Sequence, residues 1–165
     1  MNGSAQGRAG ATRDEIEAIL FEEADLLDTG DLTAWLALFT DDATYRIPGD
    51  DGAAGPEPCV AILDDDRALL EDRVWRLQSG SAHAQIPPSR TCRFVSNIRV
   101  APCEDDAIVV HSRLMIAEVR RSERRTLAGR VEHRLRRVGD TLKIARKTVF
   151  LLDAQVAQRN LTFVI

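Results

Sequence analysis

The chain has 165 residues, of which 44% are hydrophobic and 29% charged, an ordinary composition for one soluble globular domain. No apolar run approaches the roughly 20 residues that a membrane span needs. Residues 1–11 lack the apolar stretch of a secretory signal. The three cysteines have no paired spacing, which argues against a disulfide scaffold and favours the cytoplasm. We therefore expect a disordered tail over residues 1–11 and a single domain over residues 12–165.

The net charge of −4 is unevenly distributed. Residues 1–80 contain 18 acidic and 6 basic residues, whereas residues 81–165 contain 8 acidic and 16 basic ones, so the halves carry −12 and +8. Acidic helices packed on a basic sheet within one fold explain this asymmetry. A basic docking face for an acidic partner is the sharper alternative. Nucleic-acid binding is a weaker one, because the pI is acidic and no nucleic-acid motif is present.

The first half has the apolar spacing of helices. Thr12 and Glu15 form a capping box, and the helix that follows is predicted to end at Gly30. Asp31 caps a second helix. The apolar stripe of that helix consists of Leu32, Trp35, Leu36 and Phe39. A third helix is predicted to begin at residues 64–66, where three aspartates suit the positive end of a helix dipole.

The second half has the alternating pattern of strands. A short strand over residues 43–47 and a Gly/Pro/Asp-rich loop over residues 49–58 come first, and from Ser89 onward the apolar period is 2. The predicted long strands are residues 94–100, 108–119, 126–138 and 142–152. In the first of them, strict alternation puts on one face Phe94, Ser96, Ile98 and Val100, and on the other Arg93, Val95, Asn97 and Arg99. Gly139 and Asp140 form a two-residue hairpin loop.

Helices followed by an antiparallel meander indicate an α+β domain. The order of the elements favours three N-terminal helices packed on a strongly bent, mostly antiparallel sheet. This arrangement is the cone of the nuclear-transport-factor-2-like superfold. Such a fold does not by itself determine a function.

Metal or redox chemistry needs closely spaced ligands, and the sequence lacks them. A Rieske cluster needs two Cys and two His, but Cys59, Cys92 and Cys103 are scattered and far from the histidines. A mononuclear iron site needs two His and a carboxylate, and His111 and His133 are isolated on strands. No phosphate-binding loop, nucleophile elbow or zinc motif is present. The sequence therefore predicts no metal or cofactor in this chain.

Acid–base chemistry in a cone-shaped pocket is the alternative. The candidate residues are Asp42, Tyr45, His83, Arg90, His133 and Lys147. His133 lies on the apolar face of its strand, where it is either a general base or, more simply, a hydrogen-bonded interior or interface histidine. His83 is expected in an exposed loop, and Asp41 and Asp42 in a turn. A dehydratase or isomerase would use Asp42, Tyr45 and His133, whereas a binding protein would hold a small hydrophobic ligand without chemistry.

Several segments occur in the order and spacing of one protein family. These segments are residues 22–28, 35–39, 41–42, 45–48, 64–77, 87–91, 94–100, 129–137 and 143–151. The most specific combination is Pro-Pro-Ser-Arg-Thr at residues 87–91 followed by Phe-Val-Ser-Asn-Ile-Arg-Val at residues 94–100. From about residue 16 to residue 165, the chain resembles the β (small) subunits of Rieske-type aromatic-ring-hydroxylating dioxygenases. Cys92 departs from the pattern, since a basic residue is usual there, and the loop between Pro48 and Asp64 is idiosyncratic.

The resemblance implies the cone fold and an assembly of three large and three small subunits, with the small ones forming a homotrimer. In such enzymes the large subunit carries a Rieske [2Fe-2S] cluster and a mononuclear non-haem iron. Electrons arrive from NAD(P)H through a separate reductase. The complex adds both atoms of O₂ to an aromatic ring and produces a cis-dihydrodiol. By this resemblance the present chain is a mainly structural subunit without catalytic residues or cofactors of its own.

We expect the distinctive residues of this chain to act at interfaces. They are Pro88, Arg90, Asn97, Arg99, Arg136 and Arg146. The two prolines fix an extended entry into the first long strand. Planar guanidinium groups suit ion pairs between chains, and the mid-strand amide of Asn97 could satisfy a neighbouring chain. Ordinary hydrogen bonds within the chain are the alternative for each residue.

Overall fold

The computed structural model describes residues 10–50, 60–80, 87–101, 107–154 and 163–165. Three helices and six strands occur within these ranges. In chain order they are α1 (Arg13–Thr29), α2 (Leu32–Ala37), β1 (Phe39–Pro48), β2 (Ala61–Asp66), α3 (Arg67–Gln78), β3 (Arg90–Ala101), β4 (Ile108–Arg120), β5 (Glu123–Val138) and β6 (Thr141–Leu151). All three helices precede the long antiparallel strands, as the sequence predicts.

Helix α1 begins and ends where the sequence predicts. The Thr12 hydroxyl accepts a hydrogen bond from the Glu15 amide at 3.2 Å, and the Glu15 carboxylate accepts one from the Thr12 amide at 2.7 Å. Gly30 follows the helix with a φ of 79°, a left-handed conformation that suits glycine because it has no Cβ. The Asp31 carboxylate then accepts from the Ala34 amide at 3.0 Å and caps α2. The predicted caps are confirmed.

The strands form one sheet in the order β2-β1-β6-β5-β4-β3. Neighbouring strands are antiparallel except β1 and β6, which are parallel. Register shifts interrupt the pairing of β1, β3 and β5, and such irregularities bend a sheet and increase its twist. The result is a curved, unclosed sheet with the helices packed on one face.

The core fills the space between the helices and that face of the sheet. The Trp35 ring of α2 contacts Phe39 edge-on at 4.9 Å between centroids and Tyr45 at 6.2 Å, which joins α2 to β1. On the opposite face, alternate residues of β4 from His111 to Val119 are exposed. No described helix therefore covers this side of β3–β6, which we call the outer face.

The acidic run at residues 64–66 forms the end of strand β2, so the prediction that a helix begins at residues 64–66 is wrong, and α3 begins at Arg67. Asp64 and Asp65 belong to β2, which pairs with β1. The Asp65 carboxylate accepts a hydrogen bond from Arg73 Nε at 2.6 Å, so an arginine of α3 compensates its charge. Asp66 alone caps α3, accepting from the Leu69 amide at 2.9 Å. Three identical acids carry no periodicity, and the partner strand decides their conformation.

Strand β1 starts earlier than the short strand predicted over residues 43–47. It begins at Phe39, which the helical stripe included, and it contains Asp41 and Asp42, which the sequence places in a turn. These predictions are wrong at the helix–strand boundary. Phe39 pairs with Ile144 of the distant strand β6, and such a tertiary pairing overrides the local helical period.

The strict alternation predicted for β3 breaks at a bulge. Phe94 and Ser96 are exposed, whereas Ile98, predicted on the same face, is buried. The register with β4 shifts between Ser96 and Arg99, and Asn97 has a φ of 52°. An inserted residue reverses the side-chain alternation of a strand. Arg99 therefore lies on the outer face with Phe94, and the prediction that placed them on opposite faces is wrong.

Some predictions fall on residues outside the described part of the chain. The residues concerned are 1–9, 51–59, 81–86, 102–106 and 155–162. They include His83, Cys59, Cys103, most of the predicted tail and most of the Gly/Pro/Asp-rich loop. Among the described helices, none combines the length and hydropathy of a membrane-spanning segment.

Gly129 of β5 marks a close approach between two strands. A Cβ here would lie 2.5 Å from the main-chain oxygen of Phe150 in β6, a backbone atom that moves only with its strand. We expect Gly129→Ala to lower the free energy of unfolding by roughly 1–3 kcal/mol, as overpacking does. Denaturant unfolding measures the change. Thr126→Ala, at an exposed position of β5, is the control and should cost less than about 1 kcal/mol; equal losses in both variants would contradict the close approach.

Candidate functional site

A buried carboxylate lies at the centre of the core. Glu23 of α1 is 4% exposed, and its carboxylate accepts hydrogen bonds from three other elements. Trp35 Nε1 of α2 and Lys147 Nζ of β6 lie 3.2 and 2.8 Å from Oε1. His133 Nε2 of β5 lies 2.8 Å from Oε2. These four residues, the Glu23 cluster, connect the first two helices to the central strands of the sheet.

The polar members of the Glu23 cluster occupy core positions of their elements. Glu23 lies four residues after Ile19 and four before Leu27, on the buried stripe of α1. His133 and Lys147 point inward from β5 and β6, and the register pairs them directly with each other. The two donors are therefore side by side when the carboxylate reaches the sheet.

Lys147 also holds the segment formed by residues 163–165. The main-chain oxygen of Ile165 accepts hydrogen bonds from Lys147 Nζ at 2.9 Å and from the Tyr45 hydroxyl at 2.7 Å. The Lys147 ammonium lies 5.5 Å from the centroid of the Tyr45 ring. Ile165 and Tyr45 are both fully buried. The Glu23 cluster thus continues into a second buried polar layer.

An ion pair between Arg93 and Asp28 lies on the other side of the segment formed by residues 163–165. The Arg93 side chain is 2% exposed and pairs with Asp28 at the end of α1. It also donates a hydrogen bond to the main-chain oxygen of Val164. Asp28 accepts further hydrogen bonds from the Arg93 amide at 2.7 Å and the Thr91 hydroxyl at 2.9 Å. The end of α1, strand β3 and residues 163–165 therefore share one ion pair.

Burial and neighbouring charges set the protonation states of these groups. Burial alone would raise the pKa of Glu23, but Lys147 and His133 outweigh it and hold the pKa well below its ordinary value. Burial lowers the pKa of Lys147, and the charge of Glu23 partly offsets this. Burial, reinforced by the charge of Glu23, raises the pKa of Tyr45. Near neutral pH, Glu23 is therefore ionised and Tyr45 is a neutral hydrogen-bond donor.

The free space beside the Glu23 cluster is small. The cavity is lined by residues that include Leu20, Glu23, Arg93, Ser112, His133 and Lys147. It has room for about one water molecule, so an aromatic ring does not fit without a rearrangement of the core. Within the described part of the chain, His133 Nδ1 has no hydrogen-bond partner. A carboxylate that orients an imidazole is the arrangement found around catalytic general bases. This cavity, however, lacks the space for an aromatic substrate.

A family described as the ring hydroxylating beta subunit matches residues 22–158 of the chain. The match includes Glu23, His133 and Lys147. The chain belongs to the ring hydroxylating beta subunit family. It is also 39% identical over 142 residues to the small oxygenase component of the p-cumate 2,3-dioxygenase system of Pseudomonas putida, with 85% of this chain and 79% of that protein covered. The resemblance seen in the sequence is confirmed.

Solved structures share the fold of this chain. The beta subunit of benzoate 1,2-dioxygenase from Burkholderia mallei superposes with a TM-score of 0.76 at 23% identity, over 94% of this chain and 99% of that chain. An NTF2-like protein with a cystatin-like fold from Novosphingobium aromaticivorans superposes with a TM-score of 0.60 at 16% identity, over 88% and 84%. The predicted nuclear-transport-factor-2-like cone is confirmed.

The structure separates the residues that a dehydratase or isomerase would use. Tyr45 and His133 both lie in the core, next to Lys147. Asp42 is instead exposed on β1 and pairs with Arg136, which lowers the pKa of its carboxyl group. Asp42, Tyr45 and His133 therefore do not converge on one pocket. Of the other candidates, Arg90 is exposed at the start of β3.

Metal ligation requires several suitable side chains around one point. Across the described ranges, no group of three or more His, Cys, Asp or Glu side chains is so arranged. His111 is exposed on β4, and Cys92 is an exposed free thiol on β3. That this chain has no metal or cofactor of its own stays a prediction.

The residues predicted at interfaces are all at the surface of the isolated chain. The exposed set is Pro88, Arg90, Asn97, Arg99, Arg136 and Arg146. Arg136 is engaged within the chain, since it pairs with Asp42 and donates to the Thr40 hydroxyl at 3.2 Å. Asn97 lies at the bulge of β3. The contribution of these residues to interfaces stays a prediction.

Sequence reasoning did not single out Glu23 or Arg93. Glu23 is one of many acids in the first helix, and its only signal is its spacing from Ile16 and Ile19 on the apolar stripe. Arg93 alternates with Val95 on the inward side of β3, which is the corresponding signal in a strand. In both cases a charged residue occupies a position where the helical or strand periodicity places buried apolar residues.

We expect Glu23→Gln to destabilise the protein and to flatten its response to acid. The variant leaves the Lys147 ammonium buried without its carboxylate, a loss of about 3–5 kcal/mol near neutral pH. Folding lowers the pKa of Glu23 below its ordinary 4.5, so ionised Glu23 stabilises the folded state above that pH. The stabilisation by ionised Glu23 is lost progressively as the pH falls below 4.5. Denaturant unfolding at about pH 7 and about pH 3.5 measures both effects.

Asp72→Asn is the matched control for this measurement. Asp72 is an exposed acidic residue of α3. Its substitution should change the free energy of unfolding by less than about 0.5 kcal/mol at either pH. A Glu23→Gln variant with the stability and pH dependence of the Asp72→Asn variant would show that the Glu23 cluster does not hold the core.

Proposed function

We propose that this chain is the small, mainly structural subunit of a multicomponent aromatic-ring-hydroxylating dioxygenase. Membership of the ring hydroxylating beta subunit family over residues 22–158 carries the proposal. The complete enzyme adds both atoms of O₂ to an aromatic ring and releases a cis-dihydrodiol. The chain alone is inactive.

The Glu23 cluster supports a structural role for the interior of the cone. Its carboxylate is satisfied by side chains of the same chain, and the adjoining cavity is about the size of a water molecule. A catalytic pocket would instead keep polar groups available to a substrate and provide space for it. The interior therefore serves stability, and the function of the chain lies at its surface.

The partner is a large oxygenase subunit that holds the redox centres of the enzyme. These are a Rieske [2Fe-2S] cluster and a mononuclear non-haem iron, supplied with electrons from NAD(P)H by a separate reductase. The related protein of Pseudomonas putida is a small oxygenase component, and a small component implies a large one. The enzyme operates in the cytoplasm, where reduced thiols such as exposed Cys92 persist.

Three copies of this chain form a homotrimer, which joins three large subunits in a hetero-hexamer. Closed cyclic symmetry gives every copy the same contacts and leaves no unmatched surface. The residues that we assign to these interfaces are Pro88, Arg90, Asn97, Arg99, Arg136 and Arg146. Their exposure in the isolated chain supports the assignment.

Native mass and iron content test this function directly. We expect the chain purified alone to be an iron-free trimer. Co-expressed with the large subunit of the same system, it should join an iron-containing hetero-hexamer. Native mass spectrometry and metal analysis measure both states. A monomer or dimer that does not bind the large subunit would overturn the proposal.

A further inference from the structure

The outer face of the sheet carries arginines in directly opposed positions. The register places Arg113 of β4 opposite Arg130 of β5, and Arg134 of β5 opposite Arg146 of β6. Side chains in such pairs are about 5 Å apart at Cβ, and like charges there destabilise a sheet. Glu132, between Arg130 and Arg134 in β5, contributes one carboxylate among four guanidinium groups. This part of the outer face therefore carries a net positive charge.

An exposed apolar strip adjoins these arginines. Phe94 of β3 is opposite Met115 of β4, which is opposite Ala128 of β5. In the next row, Cys92 is opposite Ala117. Phe94 and Met115 are 51% and 43% exposed. Aromatic, methionine and arginine side chains together are the composition of protein interfaces.

Helix α1 presents the complementary chemistry on its solvent side. Its exposed stripe includes Asp14, Ala18, Phe21, Glu22 and Asp25, spaced along one helical face. Phe21 is 45% exposed and is adjacent to acidic residues. The one buried acid of α1, Glu23, is engaged inward, whereas Asp14, Glu22 and Asp25 of this stripe are exposed. The stripe thus combines one aromatic anchor with negative charge, whereas the outer face combines an apolar strip with positive charge.

We propose that the acidic α1 stripe of one copy docks on the arginine-rich outer face of a second copy of this chain. The inference rests on the homotrimer proposed above and names its contact surfaces. A trimer with cyclic symmetry uses heterologous contacts, which join two different surfaces of neighbouring copies. Contact between two outer faces would bring like charges together and is disfavoured. The opposite charges of the two halves of the chain thus serve assembly.

Charge reversal on each surface, followed by a combined swap, tests the contact. The sheet variant carries Arg113→Glu and Arg146→Glu, and the helix variant carries Glu22→Lys and Asp25→Lys. We expect each to weaken trimer formation by at least about 100-fold, since like charges then face each other. The chain with all four substitutions restores opposite charges and should form the trimer again. Sedimentation of the full chain over a concentration series measures each state.

Folding and surface charge in general need separate controls. The sheet variant replaces two like-charge pairs by Glu–Arg pairs. At a concentration low enough that both chains are monomeric, its melting temperature should therefore equal or exceed that of the parent chain. Arg76→Glu, on the exposed side of α3, is the matched control and should leave the trimer intact. A sheet variant that is destabilised as a monomer, or a trimer equally weakened by Arg76→Glu, would overturn the assignment of the effect to the outer face.

The outcomes separate this inference from the proposed function. A trimer that survives both variants would overturn the contact and leave the homotrimer standing. Variants that stay trimeric but no longer bind the large subunit would also overturn it, because the outer face would then belong to that partner. Open polymers in place of a closed trimer would exclude ring closure through these surfaces. A parent chain that never forms a trimer would instead refute the proposed assembly itself.

Discussion

One ionised carboxylate, buried between the helices and the sheet, constrains the whole interior of this protein. Moving such a charge out of water costs several kcal/mol unless nearby donors and an opposite charge compensate it. Glu23 therefore fixes the positions of Trp35, His133 and Lys147 and of the three elements that carry them. Lys147 in turn holds the main-chain oxygen of Ile165. A shift of any of these elements would leave a buried charge or donor without its partner.

This constraint explains how a cone with an acid–base constellation serves as a scaffold. An imidazole oriented by a carboxylate, a lysine and a tyrosine lie together in the core, and these are groups that enzymes use for proton transfer. Here they bond to one another and to the main chain, so the polar groups stabilise the cone. Membership of the ring hydroxylating beta subunit family agrees with a structural role for these polar groups. We propose that the contacts between copies lie instead at the surface, where the outer face and the α1 stripe carry opposite charge.

Local signals in the sequence predicted the caps of α1 and the hairpin after β5, because neighbouring residues determine those conformations. Pairing between distant strands was harder to foresee: Asp64 and Asp65 belong to β2 only because β1 lies beside them. The bulge at Asn97 reversed the faces of β3, which no alternation pattern indicates. His133 was predicted to be an interior or interface residue, but its partner Glu23 was hidden among the exposed acids of α1. A charged residue on an apolar stripe is the pattern that would have revealed it.

The most direct test of the scaffold account is turnover by the assembled oxygenase with His133→Gln in this chain. A glutamine amide can still donate to Glu23, so the cluster keeps a donor while the imidazole is lost. The account predicts a complex of normal mass and iron content whose turnover stays within about twofold of the parent enzyme. A loss of about 100-fold or more in a complex of unchanged mass and iron content would mean that His133 moves a proton in the reaction. The interior of the cone would then be catalytic, and the scaffold account would be wrong.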